Sequence, residues 1–152
     1  MNEKLIKKVY YYMADIKLVK EWFQYASNDL IIAQHAINDV YPKLLEIACY
    51  HCQQSAEKSL KGYLFFKDIE PPKKHDLRLL NSLCLELDKA FEVIRPYCAD
   101  LTGYGVLTRY PNELDVDEAI TKSVLDKAKQ VYDFCLMKVS IVEIEMAEKE
   151  NE

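Results

Sequence analysis

Glycine is scarce: Gly62, Gly103 and Gly105 are all that the 152-residue chain holds. So little turn material excludes a strand-rich fold built on tight hairpins. Proline is nearly as rare, and none of the five interrupts the longer apolar patterns, which leaves those patterns free to be helices. No apolar run approaches the roughly 20 residues of a membrane span. The start, Met1 to Lys8, is charged and lacks the apolar stretch of a secretory leader. Basic charge is not in excess: 20 Lys and Arg against 25 Asp and Glu leave a net charge of −5. That balance excludes a broad nucleic-acid coat and confines any phosphate-binding surface to a few clustered cations. A disulfide framework is missing as well. The five cysteines, Cys49, Cys52, Cys84, Cys98 and Cys135, are odd in number and embedded in apolar patterns, as reduced core thiols of a cytoplasmic protein are. Cys49-x-x-Cys52 is half a zinc site with no second Cys/His pair, so neither metal nor cofactor is expected.

What remains is a chain that is 50% apolar and 30% charged, long enough to bury a core as one domain. The reading is all-α: residues 1–19 an N-terminal helical extension, 20–145 a helical bundle, 146–152 a frayed end. Leu5, Ile6, Val9, Met13 and Ile16 form a helical stripe, either a separate helix or the front of the next. Trp22, Ala26, Leu30, Ala33 and Ile37 continue at three- and four-residue spacing until Tyr41-Pro42. A second helix is predicted from Lys43 to Phe66, followed by a connection stiffened by Pro71-Pro72. Leu77, Leu80, Leu83 or Cys84, and Leu87 predict a third helix, and Phe91, Ile94 and Cys98 a shorter or broken continuation limited by Pro96. Residues 102–112 read as a loop. Asp115-x-x-Glu118 reads as the start of a long last helix striped by Ala128, Val131, Cys135, Val139 and Val142.

The second helix carries the candidate chemistry. At about 100° per residue, Ala48, Cys49, Cys52, Ala56, Leu60 and Tyr63 share one side. His51, Gln54, Lys58 and Lys61 share the other, flanked by Gln53 and Glu57. Such a row either binds a phosphate or base edge, through ammonium charge and amide pairing, or is an ordinary solvated face. Two other places hold similar groups. Arg109 and Tyr110, ahead of Pro111, suit phosphate gripping and base stacking, or else a structural turn. His75 follows Lys73-Lys74 and precedes Asp76, an imidazole with a carboxylate to orient it for acid/base work. Alternatively, His75 or Asp76 caps the third helix.

Several of these segments, in this order, resemble the prokaryotic HEPN family. Cys49-Tyr50-His51-Cys52-Gln53-Gln54-Ser55-Ala56-Glu57-Lys58-Ser59-Leu60-Lys61 is similar to its hallmark second-helix segment. Pro71 to Leu77, Tyr104 to Pro111, and Trp22 to Ala33 resemble its further signatures, so the likeness covers about Lys20 to Val139. The resemblance implies an up-and-down antiparallel bundle of four main helices, with extra N-terminal and short internal helices allowed. It also implies a homodimer and association with nucleotides or RNA. Many members are encoded beside a minimal nucleotidyltransferase and form a toxin–antitoxin pair with it. Some are metal-independent ribonucleases whose Arg is followed, after four to six residues, by a His. Here the three positions concerned after Arg109 are Leu114, Asp115 and Val116, and no His follows His75. An Asp does not replace an imidazole near neutral pH without a large pKa shift. The expected protein is therefore a nucleotide- or RNA-binding HEPN component. Arg109, Tyr110, His51, Gln54, Lys58 and His75 are its binding residues. The alternatives are a ribonuclease with a rearranged site, in which Arg109 acts with His51 or His75, and a purely structural partner.

Overall fold

The computed structural model describes the backbone of residues 2–106 and 115–150, and their side chains except those of 9–14, 141–148 and 150. Among these residues all regular structure is helical. The N-terminal stripe is the front of the next helix rather than a separate one. Helix α1 runs unbroken over Glu3–Asn38, with Asn2 capping it by accepting the Lys4 N–H at 3.1 Å. No Gly or Pro lies between Leu18 and Trp22 to interrupt it. Helix α2 covers Leu45–Phe66, starting just after the predicted Lys43.

The helices α1 and α2 pack antiparallel. Asp29 of α1 meets His51 and Lys58, while Trp22 and Phe23 meet Gly62, so positions fall along one helix as they rise along the other. Gly62 allows the close approach. A Cβ at that position would lie 3.1 Å from both Phe23 Cε2 and Trp22 Cβ, close enough that the two aromatic residues would have to shift by a few tenths of an ångström. The opposite side of α2 is lined by Ala48, Cys49, Cys52 and Ala56, all fully buried. Their small volumes let helix α5 (Glu118–Glu150) lie close, with the Cys49 thiol donating to Thr121 Oγ1 at 3.7 Å. The helix α5 runs antiparallel to α1: Lys43 pairs with Glu118 at one end, and Phe23 meets Tyr132 edge-on at 6.1 Å further along. Its N-cap is Asp117 rather than Asp115. The Asp117 carboxylate accepts the Ile120 N–H at 2.7 Å, and its carbonyl accepts from Thr121. The backbone stays helical to Glu150, past the Glu145 point at which fraying is expected.

After α2 the chain folds back on itself. Lys67 and Ile69 donate to the Tyr63 and Leu64 carbonyls, and Asp68 takes a left-handed φ of 60°, a conformation that Asp tolerates better than most residues. The segment 67–76 returns along α2 and delivers His75 to its middle. Helix α3 (Leu77–Leu87) then begins under an Asp76 cap that accepts the N–H groups of Arg78 and Leu79. A 3-10 turn, Lys89–Ile94, leads into helix α4, Arg95–Leu101. Pro96 begins α4 rather than ending the preceding helix, because its missing N–H is no loss in a first turn. Asp100–Lys127 and Asp88–Lys138 ion pairs set this leg antiparallel to α5. The four main legs, α1, α2, Lys89–Leu101 and α5, thus form an up-and-down bundle, with α3 as a short internal helix. Phe91 lies at its centre, 4.4 Å from the Tyr63 ring and 5.0 Å from that of Phe134. Among the described residues no helix is long and apolar enough to cross a membrane.

Candidate functional site

The polar side of α2 is organised by two buried carboxylates. Asp29, on α1, is 5% exposed and faces α2 where it crosses. His51 Nδ1–H donates to Asp29 Oδ1 at 2.8 Å, and Lys58 Nζ donates to Oδ2 at 2.5 Å. The two donors are seven residues apart, two helical turns, which places them on one side of α2 straddling the same carboxylate. Glu57, also 5% exposed, makes the second cluster. Lys61 Nζ donates to its Oε1 at 2.8 Å from one turn further on, and His75 Nδ1–H reaches it at 3.0 Å from the returning loop. Gln53, fully buried, donates to Glu57 Oε2 at 3.3 Å and to the His75 carbonyl at 3.1 Å. Gln54 donates to Gln53 Oε1 at 2.8 Å and reaches Glu57 Oε2 at 3.5 Å.

Buried charges persist when they are paired and hydrogen-bonded, and here each carboxylate has two charged or chargeable partners. The His51 and Lys58 side chains remain 23% and 29% exposed, and that of His75 75% exposed. In both histidines Nδ1 faces the carboxylate, which orients the ring and leaves Nε2 as the outward nitrogen. Chemically, the face offers the His51 imidazole and two ammonium groups of α2, with the His75 imidazole laid against them from the returning loop. Lys58 with Asp29, and Lys61 with Glu57, cancel pairwise, so this face by itself is not strongly positive.

The sequence-predicted residues separate accordingly. His51 and Lys58 come together on Asp29; Gln54 and His75 come together on Glu57. The carboxylate that orients His75 is Glu57 and not Asp76, because Asp76 is occupied in capping α3. Arg109 and Tyr110 lie outside the described residues. The last described residues before them do bear on the site: a Cβ at Gly105 would fall 2.8 Å from Gln53 Cδ, so the Gly105 backbone abuts Gln53. Asp29 is a residue that sequence reasoning misses, since it reads as one charge on a helix surface. In the sequence Asp29 stands out only as part of the Trp22–Ala33 segment that resembles the family's first helix, with no role attached to it.

The cysteines take no part. All five are buried free thiols, and Cys49 and Cys52 turn into the core rather than toward a common open position. Burial pushes the Cys52 and Cys98 thiols up to about 12 and holds Cys84 and Cys135 well above their ordinary value. Protonated thiols of this kind are poor metal ligands and nucleophiles. Among the described residues no group of three or more His, Cys, Asp or Glu has metal-binding placement.

The HEPN domain family model matches residues 19–139, the whole bundle from Val19 to the last buried layer of α5. The chain belongs to the HEPN domain family. Solved structures carry the same fold. An archaeal HEPN homologue, ST0689, is 23% identical with a TM-score of 0.62, over 80% of this chain and 97% of its own. TT1696 from Thermus thermophilus is likewise 23% identical, with a TM-score of 0.63 over 79% of this chain and 97% of its own. No curated protein matches the sequence. Family membership associates this HEPN protein with nucleotides or RNA as a class.

Proposed function

We propose that this HEPN protein binds a nucleotide or a short RNA segment along the polar side of α2. The observation that carries the reading is the pair of buried carboxylates, each orienting one lysine and one histidine toward the same face. Side chains already fixed by a partner lose less entropy when a ligand arrives, which offsets part of the charge that the carboxylates cancel. Lys58 contacts phosphate, His51 and His75 present Nε2 to hydroxyl or base groups, and Gln54 orients a base or sugar. Arg109 and Tyr110 complete the reading. Gly105 abuts Gln53, and four peptide units of about 3.6 Å span about 14 Å, so covalent geometry allows Arg109 to add its guanidinium to this face. That added charge matters because the face is otherwise nearly neutral. The test is titration calorimetry with nucleoside phosphates and short RNAs. Saturable binding, weakened at least about ten-fold in Lys58→Ala and in Arg109→Ala, is the expected result. No binding by any of these ligands, with or without a partner protein, defeats the proposal.

One observation favours a second reading, metal-independent RNA cleavage at a rearranged site. Both His51 and His75 have Nδ1 held by a buried carboxylate, the arrangement that readies Nε2 for proton transfer. RNA cleavage in EDTA that is lost in His51→Gln and Arg109→Ala supports it. Cleavage that persists equally in both variants counts against it.

The likeness to family members encoded beside a minimal nucleotidyltransferase supports a toxin–antitoxin pairing of the same kind, and with it a homodimeric assembly. A small nucleotidyltransferase reading frame next to this gene, whose product co-purifies with the chain, is the expected finding. A stand-alone gene and protein argue for an independent binder.

A further inference from the structure

Beside the Glu57 cluster lies a recess of about 290 Å³ between α1, α2 and the returning loop. Trp22, Phe65, Pro71 and Pro72 line it, and Lys61, Glu70 and Lys73 supply its polar groups. The walls are held in place independently of any ligand. Trp22 Cβ is packed against Gly62, the Ile69 N–H is bonded to the Leu64 carbonyl, and the two prolines restrict the loop between them. At its far end the loop is tied down again, by Gln53 on the His75 carbonyl and Glu57 on the His75 ring.

We propose that this recess takes the base of a purine nucleotide, with its phosphate on the exposed Lys73. The proposal rests on the nucleotide reading of α2 and names a base subsite for it. At about 290 Å³ the recess lies at the lower edge of small-ligand pockets, room for a single base and not for a folded RNA. Aromatic and proline side chains suit stacking, and a purine offers the larger π-face. Glu70 only accepts hydrogen bonds, which favours a base with exocyclic or ring N–H donors at its edge. Lys61 is neutralised by Glu57 and lines the recess as half of a fixed ion pair, which leaves Lys73 to meet the phosphate.

Trp22 is the chain's one tryptophan and therefore reports directly on its own recess. The experiment titrates GMP, AMP, UMP and inorganic phosphate while following its emission, with calorimetry in parallel. Saturable quenching by GMP and AMP is expected, at least about five-fold tighter than by UMP, and none by phosphate alone. Lys73→Glu, on an exposed loop and so without effect on folding, weakens purine binding at least about ten-fold. Trp22→Leu weakens it similarly by calorimetry. Calorimetric binding of GMP that leaves Trp22 emission and Lys73→Glu affinity unchanged overturns the recess while sparing the α2 reading. Equal affinity for UMP and GMP, or equal quenching by phosphate, overturns the purine assignment. Absence of all nucleotide and RNA binding removes both proposals.

Discussion

Replacing Glu57 by Gln preserves shape and removes one charge at the hub of the buried network. The carboxylate accepts with both oxygens: Oε1 from Lys61 and His75, Oε2 from Gln53 and at longer range from Gln54. A Gln amide keeps one acceptor and turns an NH₂ toward a donor, so at least one of these bonds becomes a donor–donor contact. Lys61 is the critical loser, because its side chain is only 10% exposed and Glu57 is its ion-pair partner. Breaking a buried pair by removing one member costs about 3–5 kcal/mol. Two features reduce that. The His75 side chain is 75% exposed and recovers water almost freely, and the long lysine stem lets its ammonium reach solvent. We expect a loss of about 3 kcal/mol, which at about 2–4 °C per kcal/mol for a chain of this size lowers Tm by roughly 6–12 °C. Urea unfolding followed by helical circular dichroism at pH 7 measures it, with an unchanged m-value showing that compactness is preserved. A loss below about 1 kcal/mol refutes the reasoning, since it would mean that Lys61 and the amides are as well satisfied without the charge.

Two further outcomes follow from the same geometry. Asp88 caps the Lys89–Ile94 turn and pairs with Lys138, and that bond together with the Ala90 N–H holds its carboxyl below the usual carboxylate range. A depressed folded-state value means that its contribution is complete above the unfolded carboxylate pKa of about 3.9 and is lost as pH falls through the folded value. Asp88→Asn should therefore cost about 1 kcal/mol near neutral pH, partly screened by solvent, and progressively less below about pH 4. A gap between wild type and variant that widens on acidification contradicts this. The second outcome concerns the thiols. All five are buried, so a thiol reagent near pH 8 should modify them only as fast as the protein unfolds, and all should react together in urea. Fast reaction of Cys49 or Cys52 in the native protein would show that the α2–α5 packing is looser than described.

The helices are legible in the sequence because their apolar residues recur at the helical period without interruption, and α2 even shows its two sides. What escapes is tertiary. Asp29 lies between the surface residue Asn28 and the core residue Leu30, and nothing local marks it as buried. Only the crossing of α1 over α2, made close by Gly62, gives that carboxylate its two cations. Glu57 reads as a flank of the polar row because the sequence does not say that the segment 67–76 folds back over it. The same return explains His75: its sequence neighbour Asp76 is claimed by the N-terminus of α3, and Glu57 orients the ring instead. Pro96 and Asp117 are displaced by short-range chemistry. Both are residues that start helices, and periodicity alone does not distinguish a helix start from the end or approach of a neighbouring element.

Amide and histidine-ring NMR shifts during a titration with a short single-stranded RNA test the central claim most directly. The account predicts that perturbed resonances cluster at His51, Gln54, Lys58 and Lys61 of α2 and at His75. Shifts confined to the groove of Val19, Phe23, Tyr132 and Leu136 between α1 and α5, or no shifts at all, would contradict it.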